Sequence, residues 1–166
     1  MSKKERDPYV SEMITKAMIG LLEDKEIGEI SVSEICDTAL VSRNSFYRNF
    51  ISKEDILYKR IKEMMIDFEE GHKDTTSNAE RYGDLFALLK RHEDFYLLLS
   101  KRKLLYLLTE VFMEISGPVP DDNNMWAYTK AFITKGTCGW IEEWINRGMQ
   151  ESAEAMSQML SSYGMK

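Results

Sequence analysis

Proline is scarce in this 166-residue chain, with only Pro8, Pro118 and Pro120. Long proline-free stretches rich in Leu, Met, Glu and Lys are free to be helical. No Asn-Gly or Asp-Gly hairpin turn and no sustained period-two alternation offers a strand reading, so the predicted fold class is all-α. Apolar runs are short too. The runs at 97–99 and 104–108 are far below the roughly 18 residues a membrane helix needs. The charged start, residues 1–7, leads into no apolar leader segment. These absences predict a soluble, cytoplasmic protein with no membrane partner.

Cysteine and histidine are equally sparse. Cys36 and Cys138 lie 102 positions apart and belong to no CxxC pair or Cys/His cluster. They read as two buried reduced thiols, with a disulfide or redox switch as the alternative. His72 and His92 have no acidic or cysteine neighbour at ligand spacing and read as surface or loop residues, so no metal and no cofactor are expected. There is no nucleophile–base string, no glycine-rich phosphate loop and no carboxylate cluster. An enzyme is therefore not expected.

Net charge is −6, which by itself disfavours nucleic acid, but the acidity is unevenly spread. Residues 1–60 hold ten Lys/Arg against eleven Asp/Glu, and residues 61–166 hold twelve against seventeen. Arg43, Arg48 and Lys53 fall within eleven residues with no acid between them. A DNA-binding face need only be locally basic.

The first helix opens after Pro8. Val10, Met13, Ile14, Ala17, Met18, Leu21 and Leu22 repeat at the spacing of one buried helical face, and the pattern fades near residues 23–26 before Gly28. Ser31-Val32-Ser33-Glu34 has the form of a capping box and opens a short helix over 32–38. A break at 39–41 follows, Ser42 caps a helix over 43–50, and Ser52 starts a long one reaching residue 70. Residues 71–78 read as a polar loop. Further helices are predicted near 79–91, 94–100, 103–115, 124–147 and 152–163, with residues 117–122 as the clearest breaker.

Short helices separated by tight breaks suggest a helix-turn-helix head, in which one helix lies in the DNA major groove and another braces it across the backbone. Val41, Phe46 and Phe50 supply the inner side. Arg43, Asn44, Ser45, Tyr47, Arg48 and Asn49 are left facing outward or sideways, and these residue types hydrogen-bond base edges and phosphates.

The run 41–57, VSRNSFYRNFISKEDIL, resembles the head of TetR/AcrR transcriptional regulators. The resemblance implies that Ser42, Arg43, Asn44 and Ser45 begin the recognition helix and reach base edges or nearby phosphates. It implies phosphate contacts for Tyr47 and for Lys53, the latter helped by a helix N-terminus, and a backbone contact for Ser33. Arg48 reads as a groove or phosphate contact, or as a solvated charge; Tyr47 has a core-aromatic alternative. The family commonly has Gly where this chain has Leu40. A left-handed backbone there costs a non-glycine residue about 1–2 kcal/mol, so either the turn differs or the strain is tolerated.

The segments 92–104 and 132–148 are similar to the C-terminal region of a Gram-positive subgroup that includes regulators resembling the dihydroxyacetone-operon activator. Ile133, Gly136, Thr137, Trp140, Ile141, Trp144 and Ile145 form one helical stripe. Gly136 and Gly139 each cost about 1 kcal/mol inside a helix, which close approach of another helix offsets. The family pairs its last two helices with their copies in a second subunit. Residues 125–163 are therefore expected to dimerise, with Ile133, Gly136, Thr137, Trp140, Ile141, Trp144 and Met159 at the interface; intramolecular core is the alternative for this stripe. The resemblance also implies an effector cavity, for which Phe86, Phe95, Tyr96, Leu99, Tyr106, Met113, Trp126 and Tyr128 are candidates, plain core being the alternative.

The expected architecture is thus a three-helix helix-turn-helix head (1–54) and a helical-bundle, ligand-binding and dimerisation body (55–166), with 55–70 as connecting helix. The expected partners are double-stranded DNA, a second copy and an unidentified small-molecule effector. The function this predicts is a ligand-responsive regulator, usually a repressor, acting as a homodimer on a palindromic operator. A helical interaction module acting through a protein partner is the alternative.

Overall fold

The computed structural model describes residues 7–74 and 78–162. Among them the chain forms nine α-helices, one short 3-10 turn and no strand, so the all-α class holds. Two compact units divide it, Met1–Ile61 and Lys62–Lys166. The sequence put the end of the head at residue 54. The first unit instead runs seven residues further, taking in the fully buried Ile56, Leu57 and Ile61.

In the first unit α1 spans Pro8–Asp24. Asp7 caps it, its carboxylate accepting from the N–H groups of Tyr9 and Val10 at 3.0 and 3.4 Å, and Pro8 occupies the first turn, where a missing N–H costs nothing. A 3-10 turn, Ile27–Glu29, leads to α2, Val32–Thr38. The Ser31 hydroxyl accepts from the Glu34 N–H at 3.1 Å. The Glu34 carboxylate returns the bond to the Ser31 backbone N–H, completing the capping box, and also pairs with the Lys25 ammonium.

Helix α3 covers Arg43–Asn49, capped by the Ser42 hydroxyl on the Ser45 N–H. Helix α4, Lys53–Gly71, starts where the Ser52 hydroxyl accepts from Asp55 N–H at 3.1 Å. The core of this unit comprises Ile14, Met18, Leu22, Ile30, Ile35, Phe46 and Phe50 with the α4 residues named above, all essentially inaccessible. Each such side chain contributes about 1.5–3 kcal/mol.

The turn between α2 and α3 settles the Leu40 question. Leu40 has φ 55°, in the left-handed region. Its N–H donates to Asp37 O at 3.3 Å and the Val41 N–H to Cys36 O at 3.0 Å. This is the double bond pattern of a Schellman stop. The backbone is therefore the one a glycine would adopt, and Leu40 carries the strain while lying 87% exposed.

The second unit takes in the rest of α4 with α5 (Asn78–Arg91), α6 (Glu93–Lys101), α7 (Tyr106–Ser116), α8 (Asn124–Asn146) and α9 (Ala153–Ser162). Helix α5 packs on α9, and α6 and α7 pack on α8. Helix α4 continues through Gly71, past the predicted start of the loop. Residues 75–77 of that loop, and Tyr163 of the last predicted helix, lie outside the described residues. Helix α6 ends on the same stop as α2, with Lys103 at φ 58°. Helix α8 does so at Gly148, φ 84°. Cys36 and Cys138 are free and buried, and no described helix is long and apolar enough to cross a membrane.

Candidate functional site

The α3 helix presents the sequence-predicted DNA residues together. Ser42, Arg43, Asn44, Tyr47 and Arg48 are exposed and Ser45 half-buried, while Phe46 and Phe50 point inward. Tyr47 packs edge-on against Phe46, ring centroids 5.2 Å apart, which holds the ring while its remaining surface stays in solvent. Ser42 and Ser45 hydroxyls lie 3.0 Å apart, and the Arg48 guanidinium donates to Ser45 Oγ at 3.0 Å. Arg43 reaches back to the Ser33 hydroxyl on α2, so α2 and α3 share one polar surface.

Two residues depart from expectation. Asn49 does not face outward. It is buried, its side-chain amide donating to Ser45 O at 2.8 Å, because its position in the last turn of α3 falls on the inner face. Lys53, expected on a phosphate, is turned inward. Its ammonium donates to the carbonyls of Ile27 and Ile30 at 2.6 and 2.7 Å, at the edges of the 3-10 turn.

In the second unit a cavity of about 240 Å³ opens among α4, α5, α7 and α8. Met65, Phe68 and Glu69 of α4 and Arg81, Tyr82 and Leu85 of α5 form one side. The other side is built by Phe112, Ile115 and Ser116 of α7, and by Trp126, Thr129, Lys130, Ile133, Thr134 and Thr137 of α8. Of the eight residues nominated for an effector pocket, Trp126 alone lines it. Phe86, Tyr96 and Leu99 are wholly buried core, Phe86 packing edge-on against Trp144 at 5.5 Å. Phe95 and Met113 are half-buried, Tyr106 borders a separate recess with Glu142 and Asn146, and Tyr128 is exposed. Aromatic spacing along a helix cannot tell a wall from a core, because both need the same inward face.

The wall charges are internally matched. Arg81 pairs with Glu69. Lys130 sits 2.9 Å from both carboxylate oxygens of Asp122; the Val119 N–H first, and then Lys130, hold the Asp122 carboxyl below its usual range. Nearby, His72 stacks on Phe68 at 4.2 Å and meets Asp84 Oδ2 at 2.8 Å and Phe68 O at 2.7 Å. It is no idle loop residue: the Asp84 hydrogen bond, then the Phe68 carbonyl, raise its pKa above the ordinary 6.5. Among the described residues no cluster of His, Cys, Asp or Glu is arranged to hold a metal ion.

The residues nominated for dimerisation separate onto different faces of α8. Thr137, Ile141 and Trp144 are buried, Trp140 is half-buried, and Ile133 and Gly136 are exposed; Met159 on α9 is 38% exposed. The open apolar face of α8 is instead carried by Met125, Tyr128 and Phe132, continuing through Gly136 and Gly139. A Cβ added at either glycine meets nothing within 4 Å. Sequence reading missed Met125 and Phe132, although their spacing with Tyr128 was available as a signal.

A short helix with a polar outer face, set behind a tight turn and braced by a second helix, defines a helix-turn-helix DNA-binding module joined to a helical body. Residues 14–58 match the family described as bacterial regulatory proteins, tetR family. Residues 79–165, more than half the chain, match the transcriptional regulator C-terminal region of that group. The chain belongs to the tetR family and is a DNA-binding transcriptional regulator; such regulators are generally not enzymes. Among solved structures it is similar to the dihydroxyacetone kinase operon activator DhaS, with TM-score 0.55, 20% identity and 93% of each chain covered, a likeness of fold. None of the curated proteins matches it.

Proposed function

We propose that this regulator acts as a homodimer on a palindromic operator, as a repressor whose DNA affinity responds to a small molecule bound in the body. The observation that carries the DNA site is the exposed polar surface of Ser42, Arg43, Asn44, Tyr47 and Arg48 over the buried anchors Phe46 and Phe50. Ser33 and Ser45 complete it through their bonds to Arg43 and Arg48. Two recognition helices, one from each copy, reach half-sites about 34 Å apart.

The open α8 face supports the dimer. Contiguous apolar surface of this kind marks an interaction site, and two glycines with empty space over them accept a close helix. Continuity of α4 supports the response: one helix begins at Lys53 in the DNA-binding unit and ends in Met65, Phe68 and Glu69 on the cavity wall. A ligand that favours one setting of that helix shifts the population able to bind two half-sites. The effector is uncommitted beyond this cavity; no cofactor enters the proposal, and the site of action is the cytoplasm.

The test is selection of bound duplexes from a random library with the purified chain, followed by affinity against salt. Recovery of a two-fold symmetric site whose affinity falls steeply with salt supports the reading. Absence of enrichment at low salt rejects direct operator binding.

A further inference from the structure

The cavity has three properties that together define what it accepts, given the reading above that it is an effector site. It is small: about 240 Å³ is below the roughly 300–1,000 Å³ typical of drug-sized ligands. It is aromatic on every side, with Phe68 from α4, Tyr82 from α5, Phe112 from α7 and Trp126 from α8. Flat rings stack or pack edge-on against such walls.

Its charges are already spent. Glu69 neutralises Arg81, and Asp122 engages Lys130 with both oxygens. A charged ligand entering here loses its water and finds no unmatched partner, which is costly.

Among the described residues lining it, one buried polar group is left over. Thr137 lines the cavity, is 5% exposed, and its hydroxyl has no hydrogen-bond partner, although the neighbouring Thr134 hydroxyl donates to Ser116 O at 3.1 Å. A buried hydroxyl without a partner is unfavourable; it is shielded from solvent as it stands, and a turn of the Thr137 side chain about χ1 brings it to the cavity, where a ligand hydroxyl or carbonyl removes that penalty.

We infer that the cavity binds an uncharged, compact aromatic molecule bearing one hydroxyl or carbonyl group, which hydrogen-bonds Thr137. The rings lie among Phe68, Tyr82, Phe112 and Trp126, and the polar group meets the buried end of the site.

A matched pair of probes tests this by calorimetric titration of the full chain near neutral pH: β-naphthol, and β-naphthalenesulfonate, which replaces the hydroxyl with an anion on the same rings. β-Naphthol binds at one per chain, and the sulfonate binds at least tenfold more weakly. Thr137→Val, which keeps the shape and removes the hydroxyl, weakens naphthol about fivefold, the value of one neutral hydrogen bond. Ile115→Trp, with helicity checked by circular dichroism, blocks it. Absence of naphthol binding, or a sulfonate affinity equal to or above that of naphthol, overturns the inference. So does naphthol binding that Thr137→Val leaves unchanged, and binding that a folded Ile115→Trp leaves unchanged, since the probe then sits elsewhere. Operator selection on the same preparation separates the two readings. A recovered palindrome without naphthol binding overturns the ligand class and leaves the regulator standing; naphthol binding without DNA enrichment does the reverse.

Discussion

Arg43 reaches from α3 across to α2 and donates its guanidinium to the hydroxyl of Ser33, ten residues earlier. That bond holds a cation at the forward edge of the exposed α3 surface without burying it. Arg43→Ala should weaken operator binding and reduce the slope of log affinity against log salt by about 1, the loss of one phosphate neutralised. Tyr47→Phe should cost roughly tenfold or more if its hydroxyl bonds a phosphate, since hydrogen bonds to charged groups contribute about 1.5–3 kcal/mol. Neither change touches the core, so circular dichroism should match the parent. Mutant affinities equal to the parent's would remove both residues from the site.

Leu40→Gly should stabilise the chain. The left-handed φ of 55° costs a residue with a Cβ about 1–2 kcal/mol, and the side chain lies in solvent. Glycine relieves the strain but loses about 0.5–1 kcal/mol of unfolded-chain entropy. A net gain of about 0.5–1 kcal/mol is expected in urea unfolding, and Lys103→Gly, at the matching stop of α6, should behave alike. A loss of stability at position 40 would mean that the exposed leucine has a partner.

If the proposed pairing through the open α8 face holds, Phe132→Glu should leave the chain monomeric where the parent is a dimer. The ring is 79% exposed in the single chain, so the folded body loses nothing by the change. An unpaired carboxylate buried in an apolar interface costs more than about 2 kcal/mol, or some thirtyfold in dimer dissociation. Sedimentation equilibrium of parent and variant reads this directly. Gly136→Leu, with open space over its Cα, should keep the fold and weaken association as well. A variant as dimeric as the parent would place the interface elsewhere.

His72 predicts a pH dependence of the body. Its folded pKa is raised by Asp84 and the Phe68 carbonyl. The stabilisation from that pair is therefore complete below the ordinary imidazole value of 6.5 and is lost as pH rises through the raised one. Asp84→Asn should flatten this part of the stability profile and return the imidazole toward its ordinary titration, followed by proton NMR of the ring. A profile identical in the variant would be contrary to the assignment.

Both thiols should be silent in the native protein. Burial pushes Cys138 up to about 11 and also raises Cys36, and the thiolate is the reactive form. Ellman's reagent near neutral pH should count no fast thiol in the folded chain and two after denaturation. Rapid native reaction at either would falsify this.

Local rules carried the sequence reading far. The Ser31, Ser42 and Ser52 caps, the break before α3 and the inward Phe46 and Phe50 all follow from short-range chemistry, and the helices start within a residue or so of it in the head. What failed was long-range or angular. Asn49 looks exposed by type but falls on the inner face. On α8 a stripe containing Thr137, Ile141 and Trp144 was read as a surface for another chain, when the apolar periodicity of that helix serves two faces at once. His72 meets Asp84 of α5, twelve residues on, and no spacing rule encodes that.

The inward turn of Lys53 has a consequence for how the DNA-binding unit comes apart. One ammonium bridges the carbonyls of Ile27 and Ile30, tying the segment between α1 and α2 to the first turn of α4, while Lys59 ties the next turn to the Asn49 carbonyl at 2.8 Å. Neither end can fray without stranding polar groups of the other. Amide exchange should therefore report the 3-10 turn and the start of α4 as a single cooperative opening unit, so that α4 enters the body from a footing that yields all at once rather than residue by residue.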